Sequence, residues 1–243
     1  MNVLISGFGM MGKTLLNEIS QHEFIELVGV VDPLGEFGVT SFDDLLTTPD
    51  VIIDFSHPSV LNDLLNYATL NGSKLVIATT GYSDLQLKQI KDASKDIAIL
   101  QTGNTSLGVN LLLEVLKQVT PVLEDTFDIE IIEKHHNQKV DAPSGTAKMF
   151  VDEIVKAKKT DSNIVNGRVG TSKRDINDIT VHAVRGGTIS GEHSIIFAGN
   201  DEIIEIKHQA LSKKVFASGA IKAATFINEQ ENGLYSMKDV LFR

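Results

Sequence analysis

Between Glu133 and Ala147 the sequence reads Glu-Lys-His-His-Asn-Gln-Lys-Val-Asp-Ala-Pro-Ser-Gly-Thr-Ala, the densest polar cluster in the chain. Histidine is the side chain most easily set to exchange protons near neutral pH, so His135 and His136 are candidate acid–base groups. Adjacent residues of an extended chain point opposite ways, so one of the two faces the chemistry squarely and the other orients or binds substrate from the side. Lys139 can act as an acid or as a cationic anchor. Ser144-Gly145-Thr146 precedes a helical run and can cap it, or offer hydroxyls and backbone N–H groups to a carboxylate. Ser144 taken alone reads as an ordinary N-cap. Two histidines, a lysine and an anion-ready helix start in one segment suit proton transfer on an anionic substrate.

A second pattern stands at the start of the chain. Gly7-Phe8-Gly9-Met10-Met11-Gly12 has the G-x-G-x-x-G spacing, after an apolar run at Val3–Ser6 and before a helical one at Lys13–Gln21. Gly7 allows a tight turn, Gly9 lets a pyrophosphate approach the backbone, and Gly12 lets helix and strand pack closely. The helix start then offers free N–H groups and a positive dipole end to phosphates. Asp32 closes the next apolar run twenty residues after Gly12, where a carboxylate meets the ribose hydroxyls of a dinucleotide. Pro33-Leu34-Gly35 follows with no Arg or Lys nearby. A carboxylate there repels a 2′-phosphate, which favours NADH over NADPH. Met10 and Met11 read as packing residues under the cofactor.

These residues need a scaffold, and the periodicity supplies one. Apolar runs at 3–6, 27–32, 51–56, 74–80 and 97–102 alternate with helical stretches at 13–21, 42–46, 58–70 and 83–94. Such alternation, with continuously apolar strands, predicts a parallel sheet covered on both faces. After about Ser106 the style changes. A long helix is expected over 107–123 and a half-exposed strand over 127–133, where apolar and acidic residues alternate. A helix follows over 145–158, then a polar loop over 160–178 with Gly167 and Gly170, then three strands at 179–185, 193–199 and 202–210 in a mixed or antiparallel sheet. A helix over 215–228 carries Ala217, Ala220, Ile221 and Ala224 as small packing positions.

Composition narrows the function classes. The 243 residues contain no cysteine, which excludes disulfides, thiol nucleophiles and thiolate metal sites. The net charge of −10 disfavours nucleic acid and anionic membrane surfaces as partners. The apolar start is too short to span a bilayer and lacks a basic leader, so a cytoplasmic location is expected. His22, His57, His182, His193 and His208 are scattered and read as surface or packing residues, with His193 near the site in a structural role. A metal reading of Glu133, His135 and His136 lacks a supporting ligand pattern.

The segment from Glu133 to Ala147 resembles the signature of the dihydrodipicolinate reductase (4-hydroxy-tetrahydrodipicolinate reductase) family, E-x-H-H-x-x-K-x-D-x-P-S-G-T-A, at every fixed position. The similarity extends over nearly the full chain, through Asp54-Phe55-Ser56, Ala78-Thr79-Thr80-Gly81, residues 104–110 (Asn-Thr-Ser-Leu-Gly-Val-Asn), Arg185-Gly186-Gly187 and Gly191-Glu192-His193. The resemblance implies an α/β protein: an N-terminal Rossmann parallel-sheet domain at 1–105, with a C-terminal helix (212–243) packing back on it, and a mixed α/β substrate-binding and oligomerisation domain at 106–211. It implies NAD(P)H-dependent reduction of 4-hydroxy-tetrahydrodipicolinate to tetrahydrodipicolinate in lysine and diaminopimelate biosynthesis, by a homotetramer. It implies that Gly7, Phe8, Gly9, Met10, Met11, Asp32, Ala78, Thr79, Thr80, Thr102, Gly103, Asn104 and Thr105 line the cofactor, with Phe55 and Ser56 close to it. His135 would be proton donor or acceptor and Lys139 proton donor. His136 would bind substrate, and Gly145 with Thr146, beside Ser144, would hold one of its carboxylates. Two departures bear on cofactor choice: the glycine loop is one residue shorter than in many members, and Pro33 stands where some carry Arg. Against this reading stand a non-catalytic nicotinamide-binding sensor, for which the His135/Lys139 cluster has no purpose, and another Rossmann dehydrogenase acting on a substrate without the ring.

Overall fold

The computed structural model describes residues 1–33, 35 and 37–242; Leu34 of the turn after Asp32, and Arg243 at the end of the expected C-terminal region, lie outside the described residues. In chain order the elements are β1 (Asn2–Ser6), α1 (Met10–Ile19), β2 (Glu26–Val31), β3 (Val51–Asp54), α2 (Leu61–Asn71), β4 (Lys74–Ile77), α3 (Asp84–Ala93), β5 (Ala98–Gln101), α4 (Leu107–Leu123), β6 (Asp128–His135), α5 (Gly145–Ala157), β7 (Asn163–Asn166), β8 (Asp178–Arg185), β9 (Glu192–Ala198), β10 (Ile203–Gln209), α6 (Lys214–Asn228), β11 (Gly233–Tyr235) and α7 (Met237–Phe242). They fall into two compact units, Met1–Leu107 with Lys213–Arg243, and Gly108–Ser212.

The first unit is built on a parallel sheet of order β11-β5-β4-β3-β1-β2. Its strands are apolar throughout because both faces are covered, which removes the polar alternation of a one-sided sheet. On one face Val3, Ile5, Ile53 and Val76 pack with α1 and with Ala217, Ala220, Ala223 and Ala224 of α6. On the other, Leu4, Ile52, Leu75 and Ile99 meet Leu61, Leu64 and Leu65 of α2 and Ile90 of α3. Each fully buried aliphatic side chain contributes about 2 kcal/mol. The alanines let α6 lie close, and Lys74 Nζ donates to the carbonyls of Asn228 (2.5 Å) and Gln230 (2.9 Å), satisfying the free carbonyl end of that helix.

The second unit holds a mixed sheet of order β10-β9-β6-β8-β7, as the spacing of its strands predicts: β6–β8 and β7–β8 are parallel, β6–β9 and β9–β10 antiparallel. Its apolar face, with Ile129, Ile131, Ile179, Val181, Ile195 and Phe197, packs on Val109 and Leu116 of α4 and Phe150 and Ile154 of α5. Arg174 ties the connection before β8 to β6, donating to Asp128 (2.8 Å), Glu130 (3.1 Å) and the Ile129 carbonyl (3.1 Å).

Four details differ from the pattern reading. The stretch expected as a loop over 160–178 contains β7, an exposed edge strand with no apolar stripe to announce it. The helix-like stretch at 42–46 is a single 3-10 turn over Phe42–Asp44, capped by the Ser41 hydroxyl. α1 begins at Met10, inside the glycine loop, because the helix start itself forms the second half of that loop. β11, absent from the pattern, adds to β5 over three residues.

Candidate active site

In the first unit the glycine loop joins β1 to α1. Gly7 has φ +89°, and a Cβ there would lie 2.7 Å from Phe55 O and Ser56 Cα, so the loop presses against the end of β3 in a way glycine alone permits. A Cβ at Gly12 would overlap the Gly7 carbonyl, whereas the space around Gly9 is open. Gly9 is also the N-cap of α1, with no side chain occupying the free N–H groups and no acidic residue in the first turn. Such a loop can cradle a diphosphate: two glycines close it and the third leaves room above a positive helix end. Asp32 follows β2 and is almost fully buried. Its N–H donates to Val39 O (2.8 Å) and its carbonyl accepts from Gly35 N (2.8 Å).

The other residues expected to line the cofactor gather at the same strand ends. A cavity of about 310 Å³ is lined by Met11, Phe55, Ala78, Gly103, Asn104, Thr105, Lys213 and Phe216. Thr102 Oγ1 donates to Asn104 O (2.7 Å), and Asn104 Oδ1 accepts from Ser106 N (2.8 Å). Thr105 Oγ1 donates to Phe216 O (2.7 Å). Thr79 is buried beside them, and Thr80 is exposed. Ser56 Oγ (2.5 Å) and Ser6 Oγ (2.8 Å) both donate to Asp54, whose carboxyl is pushed up by burial against these opposing hydrogen bonds. Phe8, Met10, Asp32, Ser56, Thr79, Thr80 and Thr102 are not among its lining residues. Phe8 stacks on Phe37 at 4.4 Å, so its backbone is its contribution to the loop, and Met10 is exposed with its sulfur against Lys213 Nζ. A larger cavity of about 810 Å³ opens between residues 40–48 and α2, with Val31 and Pro33, on either side of Asp32, among its lining residues; it includes none of the glycine loop.

In the second unit the polar cluster sits where β6 ends. Ile129, Ile131, Glu133 and His135 share one face of that strand, so the face that is apolar at its start becomes ionisable at its end. Glu133 is fully buried. It accepts from His135 Nδ1 (2.6 Å), from Arg185 Nη1 (2.8 Å) and Nη2 (2.7 Å), and from Ser144 N (3.0 Å). Burial raises the Glu133 pKa, but the Arg185, His135 and Ser144 hydrogen bonds outweigh it and hold the carboxyl below its usual range. Burial pulls His135 below the ordinary histidine value, against the opposing pull of Glu133. With Glu133 ionised, His135 turns an Nδ1–H to the carboxylate. Lys139 Nζ pairs with Asp141 at 2.6 Å, and Arg185 Nη2 reaches the Asp141 carbonyl (2.7 Å). Ser144 caps α5, its Oγ accepting from Ala147 N (3.2 Å) and lying 2.9 Å from His193 Nε2. Gly145 and Thr146 form the first turn of α5, which carries no acidic residue. His136 is half-buried, one residue past the end of β6.

The structure thus brings His135, Lys139, Ser144, Gly145 and Thr146 into one locality. Residue types alone did not single out Glu133, Arg185, Lys213 or Phe216. Glu133 had a signal: its parity matches the buried Ile129 and Ile131. Lys213 and Phe216 lie more than a hundred residues from the other cavity residues and carry no local motif.

The sequence profile of the N-terminal part of dihydrodipicolinate reductase matches residues 1–105, and that of the C-terminal part matches residues 108–241. The chain belongs to the dihydrodipicolinate reductase family. Among curated members, the 4-hydroxy-tetrahydrodipicolinate reductase of Brachyspira hyodysenteriae is 45% identical over 243 residues, covering 99% of this chain and 100% of that one. That of Clostridium novyi is 44% identical, covering 98% and 97%. A dipicolinate-bound dihydrodipicolinate reductase from Paenisporosarcina sp. TG-14 shares the fold with a TM-score of 0.78 at 24% identity, covering 97% of each chain. A probable dehydrogenase from Thermotoga maritima shares it more loosely, with a TM-score of 0.64 at 9% identity, covering 99% and 92%. Family membership makes the chain an oxidoreductase of lysine and diaminopimelate biosynthesis that uses a nicotinamide cofactor, as the resemblance implied. No helix among the described residues is long and apolar enough to cross a membrane.

Proposed function

We propose that the chain reduces 4-hydroxy-tetrahydrodipicolinate to tetrahydrodipicolinate with this division of labour. The first unit, as the dinucleotide-binding domain, holds the cofactor: the diphosphate over Gly7–Gly12, a ribose at Asp32, and the nicotinamide end by Phe55, Ser56, Ala78, Thr79, Thr80 and residues 102–105. A reduced nicotinamide bound there supplies the hydride. The second unit, as the substrate domain, binds the dicarboxylate ring. Gly145 and Thr146 at the start of α5, with the Ser144 cap, hold one carboxylate, and His136 binds the ring from the side. Departure of the ring hydroxyl as water would leave a conjugated ring; hydride from a cofactor held there would then place negative charge on that ring, which Lys139 quenches by giving up a proton. His135, its Nδ1–H held by Glu133, accepts a hydrogen bond or a proton through Nε2.

One observation carries this reading above the rest: a histidine hydrogen-bonded to a buried carboxylate and a lysine stand beside a helix start free of acidic residues, a donor set matched to a dianion that takes up a proton. Mixing the protein with reduced cofactor and freshly made ring substrate should consume reduced-nicotinamide absorbance; no loss with NADH or NADPH would sink the assignment. In Lys139→Ala, kcat should fall by about 10²–10³-fold while cofactor affinity holds. Unchanged turnover would remove Lys139 from the mechanism.

NADH is the preferred donor in this reading, because Asp32 and the absence of a basic residue in the turn behind it disfavour a 2′-phosphate. The assembly is a cytoplasmic homotetramer. Supporting it, Ile132, Val184, Ile196 and Ile203 stand on the sheet face of the second unit that α4 and α5 leave bare. Light scattering should return four times the 26.5 kDa chain mass; a monomer would reject the assembly.

A further inference from the structure

The division of labour above gives Glu133 no task, although it is the most completely enclosed charge of the second unit's site. We infer that Glu133 is the positioning residue of the site: it fixes His135 in the Nδ1–H tautomer and, through Arg185 and Ser144, sets the Lys139 loop and the start of α5 in register with that ring. The inference rests on the proposed reaction at this same site and deepens it.

The geometry supports three links. An ionised carboxylate offers about four lone-pair directions and no donor. Four N–H groups fill them: the two-pronged fork of Arg185, His135 Nδ1 and Ser144 N. With every partner on that side a donor, His135 must present Nδ1–H, which leaves the lone pair on Nε2 as its working atom. Gly191 keeps that atom accessible, since a Cβ at residue 191 would stand 3.1 Å from Nε2. The second link runs through Arg185, whose Nη2 also donates to the Asp141 carbonyl, so the carboxylate that holds His135 also holds the loop pairing Lys139 with Asp141. The third runs through the Ser144 N–H, which anchors the N-cap of α5 and hence the N–H groups of Gly145 and Thr146.

Strand register brings these groups together. His135 lies opposite Arg185 in the parallel β6–β8 pair, and Glu133 lies opposite His193 in the antiparallel β6–β9 pair. All four side chains therefore share one face of the sheet. A burial this complete is costly unless every lone pair is met, so removing one partner perturbs the others.

A purely structural Glu133 would stabilise the fold without choosing a tautomer, so the tautomer decides. In ¹⁵N-histidine-labelled native protein near pH 7, the His135 signal, assigned by its loss in His135→Asn, should show a protonated Nδ1 and an unprotonated Nε2. An Nε2–H ring, or a mixture of the two, would overturn the inference. Glu133→Gln turns an amide N–H toward Nδ1. In that variant kcat should fall by about 10²-fold or more, as for wrong-tautomer histidines elsewhere. The ring-substrate KM should move less than about threefold, and cofactor affinity should hold. Glu133→Asp, which keeps the charge, should recover at least about tenfold of the loss. A folded Glu133→Gln with native kcat overturns the inference. If that variant does not fold, the native-protein tautomer still decides. Absent turnover by the native enzyme would count against the reaction itself and leave the tautomer measurement standing.

Discussion

In the proposed reading the choice between NADH and NADPH rests on Asp32. Asp32 is buried, and both its backbone groups are bonded, to Val39 and Gly35, so its carboxylate is delivered to a fixed place at the end of β2. Two ribose hydroxyls can donate to it; a 2′-phosphate brings like charge against it at close range. Asp32→Ala should therefore weaken NADH and strengthen NADPH, each by about tenfold, or about 1.4 kcal/mol. Fluorescence titration of both cofactors measures this, and an unchanged ratio would mean that other residues set the preference. Candidates for such roles are legible from the sequence when type and neighbours coincide, as for Asp32, His135 and Lys139. Arg185 is not legible in that way, because its partner Glu133 is 52 residues away and they meet only through the pairing of β6 with β8. Lys213 is hidden for the same reason: nothing near it in sequence marks the cavity it lines.

Among the elements, α6 shows how closely packing constrains the cofactor side. Gly219 stands in the middle of that helix, where glycine is normally costly. A Cβ there would overlap the Thr105 carbonyl, so the helix backbone rests directly on the segment that follows β5. Thr105 returns the contact by donating to Phe216 O. Gly219→Ala should force α6 away, cost about 2 kcal/mol and lower the melting temperature by about 5 °C, despite the better helix propensity of alanine. It should also weaken cofactor binding, because Lys213 and Phe216 line the cavity from the same helix start. A variant with native melting and affinity would show that the contact relaxes freely. The alanine pattern of α6 and the apolar runs of β1–β5 could be read in advance, because burial on both faces imposes a composition. β7 and β11 could not. They are short edge strands that complete a sheet without burying a stripe of their own, so no periodicity betrays them.

At the scale of the whole molecule, the enclosed histidines make stability depend on pH in a definite direction. His193 is buried between the rings of His135 and Phe150, at centroid distances of 5.2 Å and 5.7 Å. Burial, and then the charge of a protonated His135, lower its pKa from 6.5 to about 4. The unfolded chain therefore binds a proton in this range that the folded chain refuses. Stability from His193 is complete above about pH 6.5 and is lost as the pH falls toward 4, by about 3 kcal/mol in all. Burial shifts His135 and His208 downward too, so they act in the same direction. The melting temperature should drop by about 5 °C between pH 7 and pH 5. His193→Phe, which keeps a ring against Phe150 and removes the titrating group, should flatten that slope even if it lowers the midpoint through the lost Ser144 contact. A slope unchanged by the substitution would move the acid sensitivity to other groups. Turnover should fall in acid for a separate reason, protonation of His135 Nε2 while the second unit is still intact.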